Sequence, residues 1–267
     1  YRIGVAPPQD DPHLVRYFPQ GRSYCDGSNI RLYPQTERVG VDLALPKGAK
    51  LTGTVRDQDG DAVAGAGISA SGVENISARR STTTGEDGSF TLQGLDVADG
   101  GDTDWLVKVA VSGWPVQWLG PSYETADAAV FSVKARGTTD IGTHDLLDGI
   151  LFGGEVHDDD GPVADATVRV YSAGQLIQTA TDTTGTYAVV GLPPGDVYAW
   201  AAAEGRAVTY MPDADRPTEA LIVDEGDARD DGDIQMPPQA RFTVAVQADP
   251  SADLSEVSIL LYNDTHT

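Results

Sequence analysis

The sequence predicts an all-β protein, arranged as a tandem array of small sandwich modules. Three observations predict it: segments that recur in register, short runs alternating apolar and polar residues, and turn residues between those runs. No window of about 11–18 residues keeps an apolar face at helical spacing.

Recurrence fixes the organisation. "LALPKGAKLTGTV" (43–55), "HDLLDGILFGGEV" (144–156) and "DIQMPPQARFTVAV" (233–246) each place an apolar residue ten positions before a valine. The pairs are Leu45 and Val55, Leu146 and Val156, Met236 and Val246. Upstream stand "NIRL", "VFSV" and "ALIV", ending at Leu32, Val133 and Val223. Before those come "VRYFP" (15–19), "VQWLG" (116–120) and "VTYMP" (208–212). Downstream, "GTVRDQDGDAVAGAGISA" (53–70) aligns with "GEVHDDDGPVADATVRV" (154–170), and "TTTGEDGSFTLQGL" (82–95) with "TATDTTGTYAVVGL" (179–192). Two complete modules are therefore expected at 49–146 and 147–236, after the C-terminal half of an earlier one (1–48) and before the opening of a later one (237–267). The first complete copy carries an insertion at 96–104 where the second has only "PPGD" (193–196). A chain that starts and stops inside a repeat is expected to be an excerpt of a longer array.

The elements follow in order along the second copy. "ATVRVYS" (166–172), "TYAVVGL" (186–192) and "VYAWAAA" (197–203) alternate with the period of a half-buried strand. Asp-Gly, Thr-Gly and Pro-Gly pairs separate them. Pro193, Pro194 and Gly195 are expected to form a tight reversal rather than a ligand loop. Pro fixes φ near −65°, and Gly accepts positive φ where the chain turns back.

Residues 154–205, "GEVHDDDGPVADATVRVYSAG…TATDTTGTYAVVGLPPGDVYAWAAAEG", resemble carboxypeptidase-regulatory-like modules, relatives of Cna B-type and transthyretin-like domains. Residues 53–95 share the pattern with Ala-Val in place of Pro-Val and no Pro-Gly. The resemblance implies a seven-stranded prealbumin-like, immunoglobulin-like sandwich, used in tandem in secreted or surface-attached proteins. It also implies a non-catalytic role in a stalk, fibre or extracellular filament, or else in a carbohydrate- or ligand-binding accessory region of a larger secreted enzyme or adhesin. The implied partners are further copies of the module in a longer chain, or neighbouring chains in a filament. Some Cna B-type modules carry an internal Lys–Asn isopeptide bond. Residues 147–236 contain no lysine, and in the other copy Lys50 faces only Asp140 or Asp145 as late partners.

Composition narrows the function further. The 41 acidic and 18 basic residues give a net charge of −23, which repels phosphate backbones and makes nucleic acid an unsuitable partner. No apolar run approaches the roughly 20 residues of a membrane span. Cys25 is the only cysteine, so no internal disulfide forms. His13, His144, His157 and His266 fall in unrelated segments, which leaves no zinc spacing. No nucleophile elbow, zincin or phosphate-loop motif occurs, and no catalytic residue or organic cofactor is expected.

The remaining site candidates are sparse. Asp224, Glu225, Asp227, Asp230 and Asp231 crowd ten residues and could supply calcium with oxygen ligands. "DQDGD" (57–61) begins like a calcium loop, but Gly60 comes too early and Ile68 stands where the closing glutamate belongs. Asn75 and Asn263 head glycosylation sequons. Trp114 and Trp118, framing Pro115, are candidates for a sugar-stacking platform.

Overall fold

A computed structural model describes residues 1–74, 79–97, 101–211, 221–224 and 227–237. Asn75, Asn263, Glu225 and the expected later module from 238 onward lie outside the described residues. Among the described residues the only helix is a single 3-10 turn, Thr125–Asp127.

The chain opens with a short antiparallel pair, β1 (Gly4–Val5) and β2 (Arg16–Tyr17). A first sandwich follows, made of β3 (Ala49–Arg56), β4 (Gly67–Gly72), β5 (Arg79–Thr83), β6 (Ser89–Leu95), β7 (Asp102–Ala110), β8 (Gln117–Trp118), β9 (Phe131–Lys134) and β10 (Thr138–Asp145). One layer has the order β10-β3-β6, with β10 parallel to β3 and β6 antiparallel to it. The other runs β5-β4-β7-β8, with β9 also on β7. Among the described residues this sandwich has eight strands, Gln117–Trp118 being a two-residue strand of its own beside β7.

The second sandwich uses β11 (Ile150–Asp158), β12 (Gly161–Pro162), β13 (Thr167–Ser172), β14 (Gln175–Ala180), β15 (Thr186–Leu192) and β16 (Gly195–Ala202). It closes with the short strands β17 (Thr209–Tyr210), β18 (Leu221–Val223), β19 (Ala228–Arg229) and β20 (Ile234–Gln235). Here β11 pairs β15 antiparallel and β19 and β20 in parallel, while β14-β13-β16-β17 forms the opposite layer with β18 on β16.

Alternation explains the layers. On β13, Val168, Val170 and Ser172 point inward, and on β16 Val197, Ala199 and Ala201 do the same. Each sandwich therefore has its own apolar core, one around Leu51, Leu92 and Trp105 and one around Phe152, Leu192 and Ile234. The recurring anchors Leu146 and Met236 are both 1 % exposed, and Val55 and Val156 are fully buried. Truncating a leucine of either core to alanine would cost about 2–5 kcal/mol.

The turn at Pro193–Pro194 joins β15 to β16, which lie in different layers. It carries the chain across the sandwich rather than closing a hairpin. Gly195 takes the positive φ that the reversal requires, at 127°. Thr181–Gly185 crosses between layers in the same way, from β14 to β15.

A buried threonine supports each sandwich next to its crossing turn. Thr181 Oγ1 accepts the Ala166 N–H at 2.9 Å and donates to the Val163 carbonyl at 2.6 Å. Thr84 Oγ1 accepts from Ala66 at 2.8 Å and donates to Val63 at 2.6 Å. Each hydroxyl satisfies two main-chain groups that would otherwise be buried without partners.

Candidate functional site

The places where successive segments meet are closely packed. At the first joint, the Gly48 N–H donates to Pro12 O at 2.8 Å and the Leu14 N–H to Pro46 O at 2.9 Å. A Cβ on Gly48 would fall 2.6 Å from the carbonyl carbon of Gly94. Gly94, with φ +69°, lies in turn under the 11–13 loop, 2.8 Å from Asp11 O by the same construction. At the second joint, a Cβ on Gly149 would fall 2.6 Å from the Gly191 Cα. A Cβ on Gly191, with φ +77°, would in turn fall 2.8 Å from the Gly113 carbonyl. Three backbones thus cross closely at both joints. At the second only backbone atoms crowd the glycines, and at the first the Leu14 Cδ2 and Arg80 Nε atoms also come within 2.6 and 2.9 Å of those Cβ positions. Only glycine allows that approach at that φ.

Side chains finish the joints differently. In the second, Pro115 has no N–H to offer the linker. Gln117, 1 % exposed, takes its place: its Oε1 accepts Leu147 N–H at 2.8 Å and its Nε2 donates to Leu147 O at 3.1 Å. Gln175, the first residue of β14, brackets Val116 from the other sandwich, accepting its N–H at 2.8 Å and donating to its carbonyl at 2.6 Å. In the first joint the fastening is ionic. Arg16 Nη1 lies 3.1 Å and Arg22 Nη2 2.6 Å from the two oxygens of Asp96. Beside them Asp11 is held below the usual carboxylate range by the backbone N–H and then the side chain of His13.

The sequence candidates fall elsewhere. Asp224, Asp227, Asp230 and Asp231 are all exposed, and the oxygens of Asp231 face the guanidinium of Arg229. That contact holds Asp231 below its ordinary value. Among the described residues no three potential metal ligands gather. Trp114 and Trp118 are both half-buried. Trp114 packs on the first core and its backbone abuts Gly191, whereas Trp118 carries the Lys108 ammonium 5.7 Å from its ring centre. Lys50 is exposed and stands in register with Thr138, Asp140 with Thr52, and Asp145 with Arg56.

Sequence reasoning did not single out Gln117, Gln175, Thr84, Thr181 or the joint glycines. A signal existed for the glycines: "KGA" and "DGI" occupy one aligned position, and "QGL" and "VGL" another. The glutamines had none, because their partners are main-chain atoms of another segment.

The fold and joints define an all-β chain of sandwiches linked through close backbone crossings that side chains fasten. No protein-family model matches the chain. No curated protein matches it either. Among solved structures it is similar to a streptococcal ancillary pilin, at 15% identity and TM-score 0.40, over 79% of this chain and 70% of that one. It is also similar to the minor pilin of Streptococcus agalactiae, at 12% identity and TM-score 0.42, over 74% of this chain and 100% of that one. A shaft pilin of Lactobacillus rhamnosus GG aligns at 11% identity and TM-score 0.29, over 73% of this chain and 99% of that one. At these values the likeness adds nothing to the strand pairing already described.

Proposed function

We propose that the chain is a non-catalytic structural region of a secreted or surface-attached protein, a run of equivalent modules forming a stalk, fibre or filament. The observation that carries this reading is the recurrence of one joint. Gly48, Gly94 and the 11–13 loop cross as Gly149, Gly191 and the 113–114 loop do. A third contact of the same kind begins at the other end, where the Ala207 N–H donates to Pro237 O at 3.2 Å, as Leu14 does to Pro46.

Recurrence of hydrogen bonds supports the equivalence of the segments. Phe18 donates to Ile3, Leu119 to Val107 and Met211 to Ala199, each at 2.8–2.9 Å. Joints made of packed backbone resist bending, and a surface of net charge −23 opposes lateral clumping. The boundaries 1–48, 49–146, 147–236 and 237–267 belong to this proposal, with further copies of the module as its partners.

Small-angle scattering on the chain tests it. A rod-like profile with one well-defined maximum dimension is expected. A profile typical of beads on a flexible string would overturn it.

A further inference from the structure

The first joint buries a positive charge that no carboxylate among the described residues pairs. Arg80, on β5, is 8 % exposed. Its Nη1 donates to Arg79 O at 3.1 Å and its Nη2 to His13 O at 3.3 Å, both uncharged acceptors. Among the described residues no carboxylate comes within ion-pair distance of it, and its Nε has no hydrogen-bond partner. Asp96 is committed to Arg16 and Arg22 instead. Removing a charge from water without a counter-ion is among the costliest arrangements in a fold. Burial accordingly pushes the guanidinium below its ordinary value, with Asp96 and Asp11 opposing.

A second unpaired donor lies nearby. Trp105, 1 % exposed, leaves its indole N–H without an acceptor among the described residues. Arg80 stands in register with Ala70, and Trp105 with Gly72, so β4 puts only a methyl group and a hydrogen between them. Both residues line one open cleft of about 700 Å³, walled also by Tyr17, Arg22 and Asp96. The fold does not demand polar groups here. In the second sandwich the residues in the matching register are Ile177, opposite Val170, and Val197, opposite Ser172.

We propose that this cleft binds a carboxylate, which supplies the counter-charge Arg80 lacks. Each Nη atom keeps a second N–H after its carbonyl bond, and two such donors form the fork that a planar carboxylate accepts in bidentate fashion. Glu74, Asp26 and Asp96 also line the cleft and penalise a dianion such as phosphate or sulfate. The carboxylate comes either from a small molecule or from an acidic side chain of another copy of this chain, which has 41 such side chains.

The test follows the Trp105 indole N–H resonance of the ¹⁵N-labelled chain, assigned by its disappearance in Trp105→Phe. Acetate should shift it saturably, and chloride at equal ionic strength should not. In Arg80→Met the acetate affinity should fall at least tenfold. Should that variant misfold by circular dichroism, Arg80→Lys serves instead; it keeps the charge, loses the fork, and should still bind more weakly. If raising the protein concentration alone moves the resonance, with association visible in sedimentation, the carboxylate belongs to a second copy. No saturable shift from acetate or from protein concentration overturns the proposal, as does an undiminished shift in the Arg80 variants.

Discussion

Gly149 and Gly191 touch through their backbones: a Cβ placed on the first would stand 2.6 Å from the Cα of the second. The contact leaves no room for adjustment, because the other side of Gly191 is occupied by Gly113 and Trp114. Gly191→Ala should therefore both strain a φ of +77° and wedge the joint open. A loss of about 1–3 kcal/mol is expected from the backbone strain alone. Urea unfolding should show it, together with a broadened distance distribution in scattering. Val190→Ala, at an exposed neighbour, is the control and should change neither.

The buried threonine hydroxyls give a second outcome. Thr181→Val keeps the shape but leaves the Ala166 N–H and the Val163 carbonyl without their partner. Each orphaned group costs about 1–3 kcal/mol. Thr84→Val should destabilise the first sandwich by a similar amount. Calorimetry that found either variant as stable as the parent would refute this role.

Alkaline pH tests the second core. The Tyr187 hydroxyl donates to Gly232 O at 2.6 Å, and burial, then Asp233 and Asp231, push its pKa well above the ordinary tyrosine value. Only the folded state keeps this proton above that value of about 10. The contribution is thus complete below pH about 10 and drains away as pH rises toward the folded value. Stability measured across that range should fall more steeply in the parent than in Tyr187→Phe. Equal slopes would remove Tyr187 from the explanation.

The acidic turn remains a calcium proposal, with Asp224, Glu225, Asp227, Asp230 and Asp231 as the oxygen donors. Millimolar calcium should raise the melting temperature of the chain, and a chelator should reverse the rise. Equal melting temperatures with calcium and with chelator would leave the segment as an ordinary solvated turn, fastened by Arg229 on Asp231.

Local pattern made much of this fold legible. Val168, Val170, Val197 and Ala199 alternate with polar or larger residues, and that period alone assigns each to an inward face. Layer membership was harder to read. "TYAVVGL" and "VYAWAAA" are neighbours in sequence and identical in rhythm, yet they sit in opposite sheets because Pro193 and Pro194 bridge the sandwich. Periodicity reports which side faces the core and says nothing of which strand lies alongside. The polar features were hidden for a similar reason. Gln175 meets Val116 and Arg80 meets His13 across segment boundaries, and neither partner contributes a side chain that a motif could record.

Strand order also determines how the chain would answer a pull. In the first sandwich the entering strand β3 and the leaving strand β10 are parallel neighbours, and in the second β11 runs parallel to β19 and β20. Tension applied through the two ends then slides these strands past each other lengthwise. Their hydrogen bonds bear the load side by side and must rupture together, whereas a hairpin pulled from its open end unzips one bond at a time. Each sandwich is thus built as a lap joint, strongest along the direction in which the polypeptide itself runs.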